Sequence, residues 1–405
     1  MTLADLVIVT WNGREHTLAA LEAVAPQVRE LQSAANSIVV TVVDNGSHDG
    51  TAGAVRERFP DVRLVVLPSN SGFTGGIAAA ARSSIARYLI FLNNDAIPES
   101  GWLAALLRAM DEAPEDVIAV AGQIVDLTGT LIDFAGGVLT FDGHAFQSGF
   151  RKPLGFLDEK KAGEELLFAC GGNMIVRRKD YQLLGGFDDD FFAYLEDVDF
   201  GWRSWLSGYR IIWEPRAIVR HASSATSNTI GAFERGVLFE RNAIQTAIKN
   251  YEPELLSAAS GPLFLTLLHR LHHYVTTRNG NVEELRQAPF SGMPRGVRQR
   301  PSLLRRVRNK LAGTRPPLAS IDDDLTAMQF RAIDWFFRNS EHLLAKRAEV
   351  QGRRRRSDRE IFERFPLYYV PTYPGDHELM NSSLFALLRL PLPAVNKRLE
   401  EVMRT

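Results

Sequence analysis

The chain has 405 residues, of which 45% are hydrophobic and 23% charged, with a mean hydropathy of -0.12. This composition is that of a globular protein with room for two or three domains. The 47 basic residues against 48 acidic ones leave a net charge of -1, so no global field favours nucleic acid or an acidic polymer. One cysteine, Cys170, excludes an internal disulfide framework and a multi-thiolate zinc site.

The first hundred residues alternate between strand and helix patterns. Leu6 to Thr10 is a β-branched apolar run of the kind a buried parallel strand shows, and His16 to Ala25 reads as a helix that stops at Pro26. Ile38 to Val43 is a second strand, Asp49 to Phe59 a second helix and Val62 to Leu67 a third strand. A glycine-rich stretch, Ser71 to Gly76, leads into a helix from Ile77 to Ala86, and Tyr88 to Leu92 is a fourth strand. Such alternation predicts an open α/β sheet covered on both faces, with ligands beyond the carboxyl ends of its strands. Those ends carry Thr10-Trp11-Asn12, Asp44-Asn45 and Asn93-Asn94-Asp95. From Gly122 to Gly149, the turn signals Gly136-Gly137 and Asp142-Gly143 predict hairpins. Tyr194 to Gly208 reads as a helix, and Arg210 to His221 as one or two strands broken at Pro215. After about residue 230 the texture is helical, over 233–251, 255–276 and 321–349, without strand alternation.

Candidate chemistry sits at the loop positions. Asp44 directly follows a strand, where a carboxylate either accepts from a base or ribose or caps a turn. Asn93 and Asp95, two residues apart, suit a hard divalent cation shared with a diphosphate, or again a turn. Six carboxylates fall within the twelve residues from Asp188 to Asp199, interleaved with Phe191, Phe192 and Tyr194. Acids beside apolar rings have raised pKa values, which suits a general base; an acid-rich helix start explains some of them but not the rings. His221 closes a strand, as a structural residue or a ligand.

Together, Val43-Asp44-Asn45-Gly46-Ser47, Asn70-Ser71-Gly72-Phe73, Leu92-Asn93-Asn94-Asp95, Gly185-Gly186-Phe187-Asp188 and Phe191 to Asp199 resemble the family 2 glycosyltransferases. The resemblance is to the rhamnosyltransferase-like branch that builds bacterial surface polysaccharides, and it covers about residues 3–230. It implies an α/β fold of the GT-A type, with a catalytic domain over 1–230 (donor half 1–121, acceptor half 122–230) and a mainly helical region over 231–405. It implies inverting transfer of a sugar, rhamnose or another hexose, from a nucleoside-diphosphate sugar with Mn²⁺ or Mg²⁺. The acceptor is a hydroxyl of a saccharide or polyprenyl-linked saccharide. Residue by residue, Thr10, Trp11, Asp44, Asn93 and Asn94 fall on the nucleotide-sugar side. Asp95 falls on the metal-binding end of the family's DxD motif, and some members place a metal-binding histidine where His221 stands. Asn93 replaces the first Asp of that motif, which leaves ligation there open. Asp197 falls on the general base, while Glu196 and Asp188 fall to binding or orienting the acceptor.

Two other functions share parts of this pattern. A sugar-phosphate nucleotidyltransferase has a similar sheet but should carry a basic glycine-rich loop after the first strand, where this chain has only Thr10-Trp11-Asn12-Gly13-Arg14. A non-catalytic scaffold would be favoured by loss of Asp95 or Asp197, and both are present. Towards the end, Leu303, Leu304, Val307 and Leu311 fall on one helical face among Arg305, Arg306, Arg308 and Lys310. That pattern over 302–311 fits an interfacial helix on an anionic membrane or a helix packed on the protein with a solvated basic face. The longest uncharged, mostly apolar run, Leu255 to Leu268, has 14 residues and contains Pro262, against about 20 needed to span a bilayer. The opening Met1-Thr2-Leu3-Ala4-Asp5 has no signal-peptide texture, so a cytoplasmic protein, peripheral at most on the inner membrane face, is expected.

Overall fold

A computed structural model describes residues 2–33, 37–157, 160–222, 232–276 and 324–404. The β-branched runs become the strands β1 (Thr2–Thr10), β2 (Ser37–Asp44), β3 (Arg63–Val66) and β4 (Tyr88–Asn93). They pair in parallel in the order β3-β2-β1-β4. The sheet continues through β10 (Asn173–Arg177), antiparallel to β4, then β6 (Val117–Asp126), β11 (Arg210–His221) and β5 (Ala96–Pro98). Because β10 is also antiparallel to β6, and β11 is parallel to β6, the carboxyl ends of β1, β2, β4, β6 and β11 share one edge. The α/β class and the mainly helical C-terminal region expected from the sequence are both present.

Several expected boundaries move, each for a packing reason. Helix α1 (Arg14–Leu31) runs through Pro26 instead of stopping there. The lost N–H is offset because Gln27 and Val28 extend the buried face, and the Gln27 amide donates to the Glu99 carbonyl and accepts from the Leu103 N–H. Helix α3 (Gly72–Ser83) starts five residues early, inside the glycine stretch. A Cβ at Gly76 would collide with the Val9 side chain, so glycine lets this helix lie directly on β1. Two of the expected hairpins form, one between β6 and β7 (Ile132–Phe134) and one between β8 (Gly137–Leu139) and β9 (Ala145–Gln147) around Asp142-Gly143. Gly122 instead belongs to β6, a fully buried central strand. Pro215 does not split β11; the strand absorbs it as a register shift against β6 between Glu214 and Ile218. Two short strands, Leu367–Tyr369 and Ala394–Asn396, pair in parallel within the region expected to be mainly helical. The basic tract 302–311 lies outside the described residues.

The helical region shares its core with the sheet domain. Ala243 and Ala247 of α7 (Ala232–Asn250), Tyr251 just after it, and Leu255 and Ala259 of α8 (Pro253–Thr276) belong to the same apolar cluster as β1, β4 and β6. A buried ionic network adds to this junction. His144, after β8, lies 3.1 Å from Asp142 and 2.8 Å from Glu240 of α7. Arg270 of α8 pairs with Asp142, Glu240 and Asp376, and the Gln329 amide donates to Glu240. Burial pulls the His144 pKa down, but the charges of Asp142 and Glu240 more than reverse this and raise it to about 9.

That shift has a sign in stability. With the folded value above the ordinary 6.5, the contribution of His144 is complete below about pH 6.5 and is lost as pH rises through about 9. Stability measured by urea unfolding should fall by on the order of 1–3 kcal/mol across that window, with a flatter slope in His144→Gln. A wild-type protein whose stability does not change over this range contradicts the assignment.

Candidate active site

The common strand edge places the sequence-predicted residues side by side. Thr10 pairs with Asp44 across β1–β2, Val9 with Asn93 across β1–β4, and His221 with Asp126 and Ala96 at the end of β11. The loop after β1 is pinned to the loop after β2. The Asn12 N–H donates to the Ser47 hydroxyl, and the Asn12 side-chain oxygen accepts from the His48 N–H. Trp11 is half-buried at the start of that loop. Asp44 is buried and accepts from the Ser47 N–H at 3.0 Å, so one of its oxygens holds a turn while a carboxylate keeps further acceptor capacity.

Thr10 and Asn94 face each other rather than open space. The Asn94 amide donates to the Thr10 hydroxyl at 3.2 Å, as does Thr17 at 2.8 Å. A Cβ at Gly13 would collide with the Asn94 amide, so that close approach requires glycine. Asn45, which the sequence reading did not single out, links two loops. Its amide donates to Asn70 and to the Gly72 carbonyl, and its oxygen accepts from the Ser71 N–H and hydroxyl.

A second group forms around His221. Its Nε2 is 3.1 Å from an Asp95 oxygen and 3.3 Å from the Asn93 amide nitrogen. Its Nδ1 is hydrogen-bonded to Asp133 of β7 (Ile132–Phe134) at 2.7 Å. Burial lowers the His221 pKa, but hydrogen bonds and charges from Asp133 and Asp95 outweigh it and raise the value to about 10. Burial likewise pushes Asp95 up, and the hydrogen bond and charge of His221 bring it below the usual carboxylate range. Among the described residues no three His, Cys, Asp or Glu side chains form a ready metal cage. The set is instead one carboxylate, one imidazole and one amide whose rotation by 180° would present oxygen. That suits a hard cation completing its shell with diphosphate oxygens and water, and the carboxylate holding the far nitrogen is the usual way of aiming a ligating imidazole.

The third group lies at the start of α6 (Glu196–Leu206). Asp197 accepts from the Gly171 N–H at 3.0 Å and from the Val198 N–H at 2.8 Å. Burial raises its pKa against the pull of those N–H groups. Glu196 is more deeply buried and has one oxygen without a hydrogen bond; burial, then the charges of Asp197 and Asp199, push it well up. Gly171 and Gly172 join this group to the second. The Asn93 N–H donates to the Gly172 carbonyl, and a Cβ at Gly172 would press into the Asn93 side chain at 2.6 Å. The double glycine ahead of a strand was the available signal for this strip; Asp133 had none.

Asp188 sits elsewhere. It pairs with Lys249 at 2.5 Å and with Lys346. Burial raises its pKa, and these two cations bring it far below the ordinary value. It lines a cavity of about 400 Å³ with Arg82, Gly185, Gly186 and Arg353, to which Asp44, Asp95, Asp197 and His221 do not contribute. Asp188 thus ties the acidic segment to the C-terminal helices.

Comparison with known proteins adds family information. The model for "Glycosyl transferase family 2" matches residues 5–185. Over 208 residues the chain is 29% identical to an N-acetylglucosaminyl-diphospho-decaprenol L-rhamnosyltransferase of Mycobacterium tuberculosis, covering 45% of this chain and 66% of that protein. Over 205 residues it is 30% identical to an O-antigen biosynthesis protein of Myxococcus xanthus, covering 46% of this chain and 15% of that one. The chain thus spans just under two thirds of the first relative and a small part of the second. Among solved structures it is similar to GalNAc-T7 with UDP, GalNAc and Mn²⁺, at 14% identity and a TM-score of 0.49, covering 72% of this chain and 54% of that one.

The buried Asn45 amide gives the most direct test of how this edge is assembled. Asn45→Ala should strand partners in two loops and lower unfolding stability by about 1–3 kcal/mol. Denaturant melts that coincide with wild type would show that these hydrogen bonds do not hold the loops.

Proposed function

We infer that this chain, whose residues 5–185 form a family 2 glycosyltransferase domain, is an inverting hexosyltransferase of the GT-A type. It moves a sugar from a nucleoside-diphosphate sugar to a hydroxyl of a saccharide or lipid-linked saccharide. The likeness to a rhamnosyltransferase supports rhamnose as the first donor sugar to try. The observation that carries the reading is the meeting of Asp95 and His221 at 3.1 Å on the strand edge that also bears Asp44. The Gly171-Gly172 strip joins that edge to Asp197.

In this reading Asp44 and Trp11 hold the nucleotide, with Thr10 and Asn94 bracing the loop between them. Asp95, His221 and the Asn93 amide would hold Mn²⁺ or Mg²⁺, with Asp133 fixing the imidazole. A divalent cation bound there supplies charge neutralisation for the departing diphosphate. Asp197 takes the acceptor proton. As the acceptor oxygen bonds to the anomeric carbon, the bond from that carbon to the diphosphate breaks, and the electron pair leaves with the nucleoside diphosphate. One base and no carboxylate nucleophile give inversion. Two backbone N–H groups on Asp197 fix its direction and leave it acceptor capacity. Glu196, less accessible, orients the site.

Screening nucleotide sugars for thermal protection with and without Mn²⁺, followed by product analysis, tests the function. Asp95→Ala should abolish metal-assisted binding of nucleoside diphosphate in calorimetry while the protein stays folded. Unchanged affinity would remove Asp95 from the donor site.

Asp197→Asn keeps shape and removes basicity, so kcat should fall by about 10²–10⁴-fold with donor affinity near wild type. Glu196→Gln should be milder. The raised pKa of Asp197 also fixes the acid limb of the wild-type profile. The working base is deprotonated, so kcat should be lost as pH falls through a value above the ordinary carboxylate range. An acid limb at or below that range, or Glu196→Gln as the deader variant, would move the base elsewhere.

A further inference from the structure

The segment that delivers Glu196 and Asp197 has a backbone that its residues do not favour. Phe192, Tyr194 and Leu195 have φ of 63°, 71° and 64°, and none is glycine. Phe192, at φ 63° and ψ -60°, is the centre of a γ-turn closed by the Ala193 N–H donating to the Phe191 carbonyl at 2.7 Å. This positive-φ turn is rare and strained, and each left-handed non-glycine residue costs on the order of 1–3 kcal/mol. Leu195 is also the residue that opens α6, so the strained run ends directly at the two carboxylates.

Most of what holds this run comes from α7. Asn242 of α7 is fully buried, and its amide nitrogen reaches the carbonyls of Phe191 at 3.0 Å, Ala193 at 2.8 Å and Tyr194 at 2.7 Å. Its oxygen accepts from Gln245 and from the Arg241 guanidinium, which fixes the amide's orientation. Arg241 donates to the carbonyls of Asp190 at 2.6 Å and Phe191 at 3.0 Å, and its guanidinium lies 4.8 Å from the centre of the Trp335 ring. On the other side, the Phe192 carbonyl accepts from the Thr74 N–H, and a Cβ at Gly72 would collide with that carbonyl. Carbonyls that a strained turn points away from helix or sheet partners thus meet donors aimed at them.

We propose that Asn242, with Arg241, is a positioning residue for catalysis. By binding the carbonyls of Asp190, Phe191, Ala193 and Tyr194, the pair holds the left-handed run that sets Glu196 and Asp197 at the acceptor side of the site. The proposal rests on the role given above to Asp197, and it makes α7 part of the catalytic machinery. The donor-side residues Thr10 and Asp44 end β1 and β2 and Asp95 lies in the turn after β4, so this device acts on the chemical step and not on donor binding.

The test uses Asn242→Ala in the full chain, with two kinds of readout. Hydrogen exchange should speed up at residues 191–199 and stay at wild-type rates at 44–47 and 93–95. With the transfer reaction in hand, kcat should fall about 10²-fold, the scale of a misplacement near 1 Å, while the donor KM stays within threefold. Arg241→Met, which keeps the stem over Trp335 and loses the two carbonyl contacts, should show the same pattern at about tenfold; it carries the test alone if Asn242→Ala fails to fold. Unchanged exchange at 191–199, or a kcat within threefold of wild type, overturns the proposal. So does a KM that rises in step with the loss of kcat. Because exchange does not depend on turnover, a wild-type protein that transfers no sugar would defeat the functional reading while leaving the structural part of this one testable.

Discussion

An imidazole held between two buried carboxylates is the contact on which the arrangement of this edge depends. Asp133, His221 and Asp95 come from β7, β11 and the turn after β4, and only the imidazole touches all of them. As an ion triad the chain has no clear stabilising value, since three desolvated charges cost about as much as their attraction returns. Its consequence is geometric: the end of β11 is fixed against the end of β4. For His221 to reach that point, β11 must shift its register on β6 between Glu214 and Ile218. The shift frees the Ala217 carbonyl, and the buried Asn173 amide takes it up together with the Gln123 carbonyl. The Trp102 indole N–H, from the helix Trp102–Glu112, completes Asn173. A polar knot in the middle of the sheet thus sets a histidine at its edge.

The helical region completes the site rather than following it. Its helices share the apolar core of the sheet and close the buried network of His144, Glu240, Arg270 and Asp376. They also take both flanks of the acidic segment. Lys249 binds Asp188 and Asp199, while Lys346 binds Asp188 and Asp190. Asn250 and Arg203 complete Asp199. Of the six carboxylates between Asp188 and Asp199, those paired with cations serve the frame. Asp189, Glu196 and Asp197 have pKa values raised by burial, and of these Asp189 is the exposed one. The local sequence offers the same residue type six times, and the contacts from the C-terminal helices separate their roles.

What could be read in the sequence follows from the range of the interactions involved. A carboxylate placed directly after a β-branched run in an α/β pattern must lie at a strand end, so Asp44 and Asp95 were legible at once. The Asp133–His221 contact was not, because it spans 88 residues and depends on which strands neighbour β6. Pro26 read as a stop because its cost is local, whereas the gain that carries α1 past it lies in Gln27 contacts more than seventy residues away. Thr10 and Asn94 looked like ligand contacts since both stand at strand ends; their mutual hydrogen bond is a tertiary fact. Arg241 and Asn242 read only as polar positions on a helix, because recognition of backbone carbonyls leaves no pattern in the residues recognised.

The charge balance of the edge bears on how an anionic donor can be accommodated. Asp44, Asp95 and Asp133 stand at this edge, with Asp197 joined to it through Gly171-Gly172, and the cations acting on Asp95 are His221 and, more weakly, His16. A diphosphate entering alone would meet carboxylates at low dielectric, where like-charge repulsion is least screened. A divalent cation bound with the proposed diphosphate donor would supply countercharge, and Asp95 would then serve as a ligand and not as a repelling group. His221 fits either condition. Asp133 and Asp95 raise its pKa and so favour the imidazolium, and a cation held by Nε2 would compete with that proton. In the proposed reading donor and cation would bind together at this edge, and the hydrogen bond between Asp133 and the far nitrogen would keep the imidazole aimed.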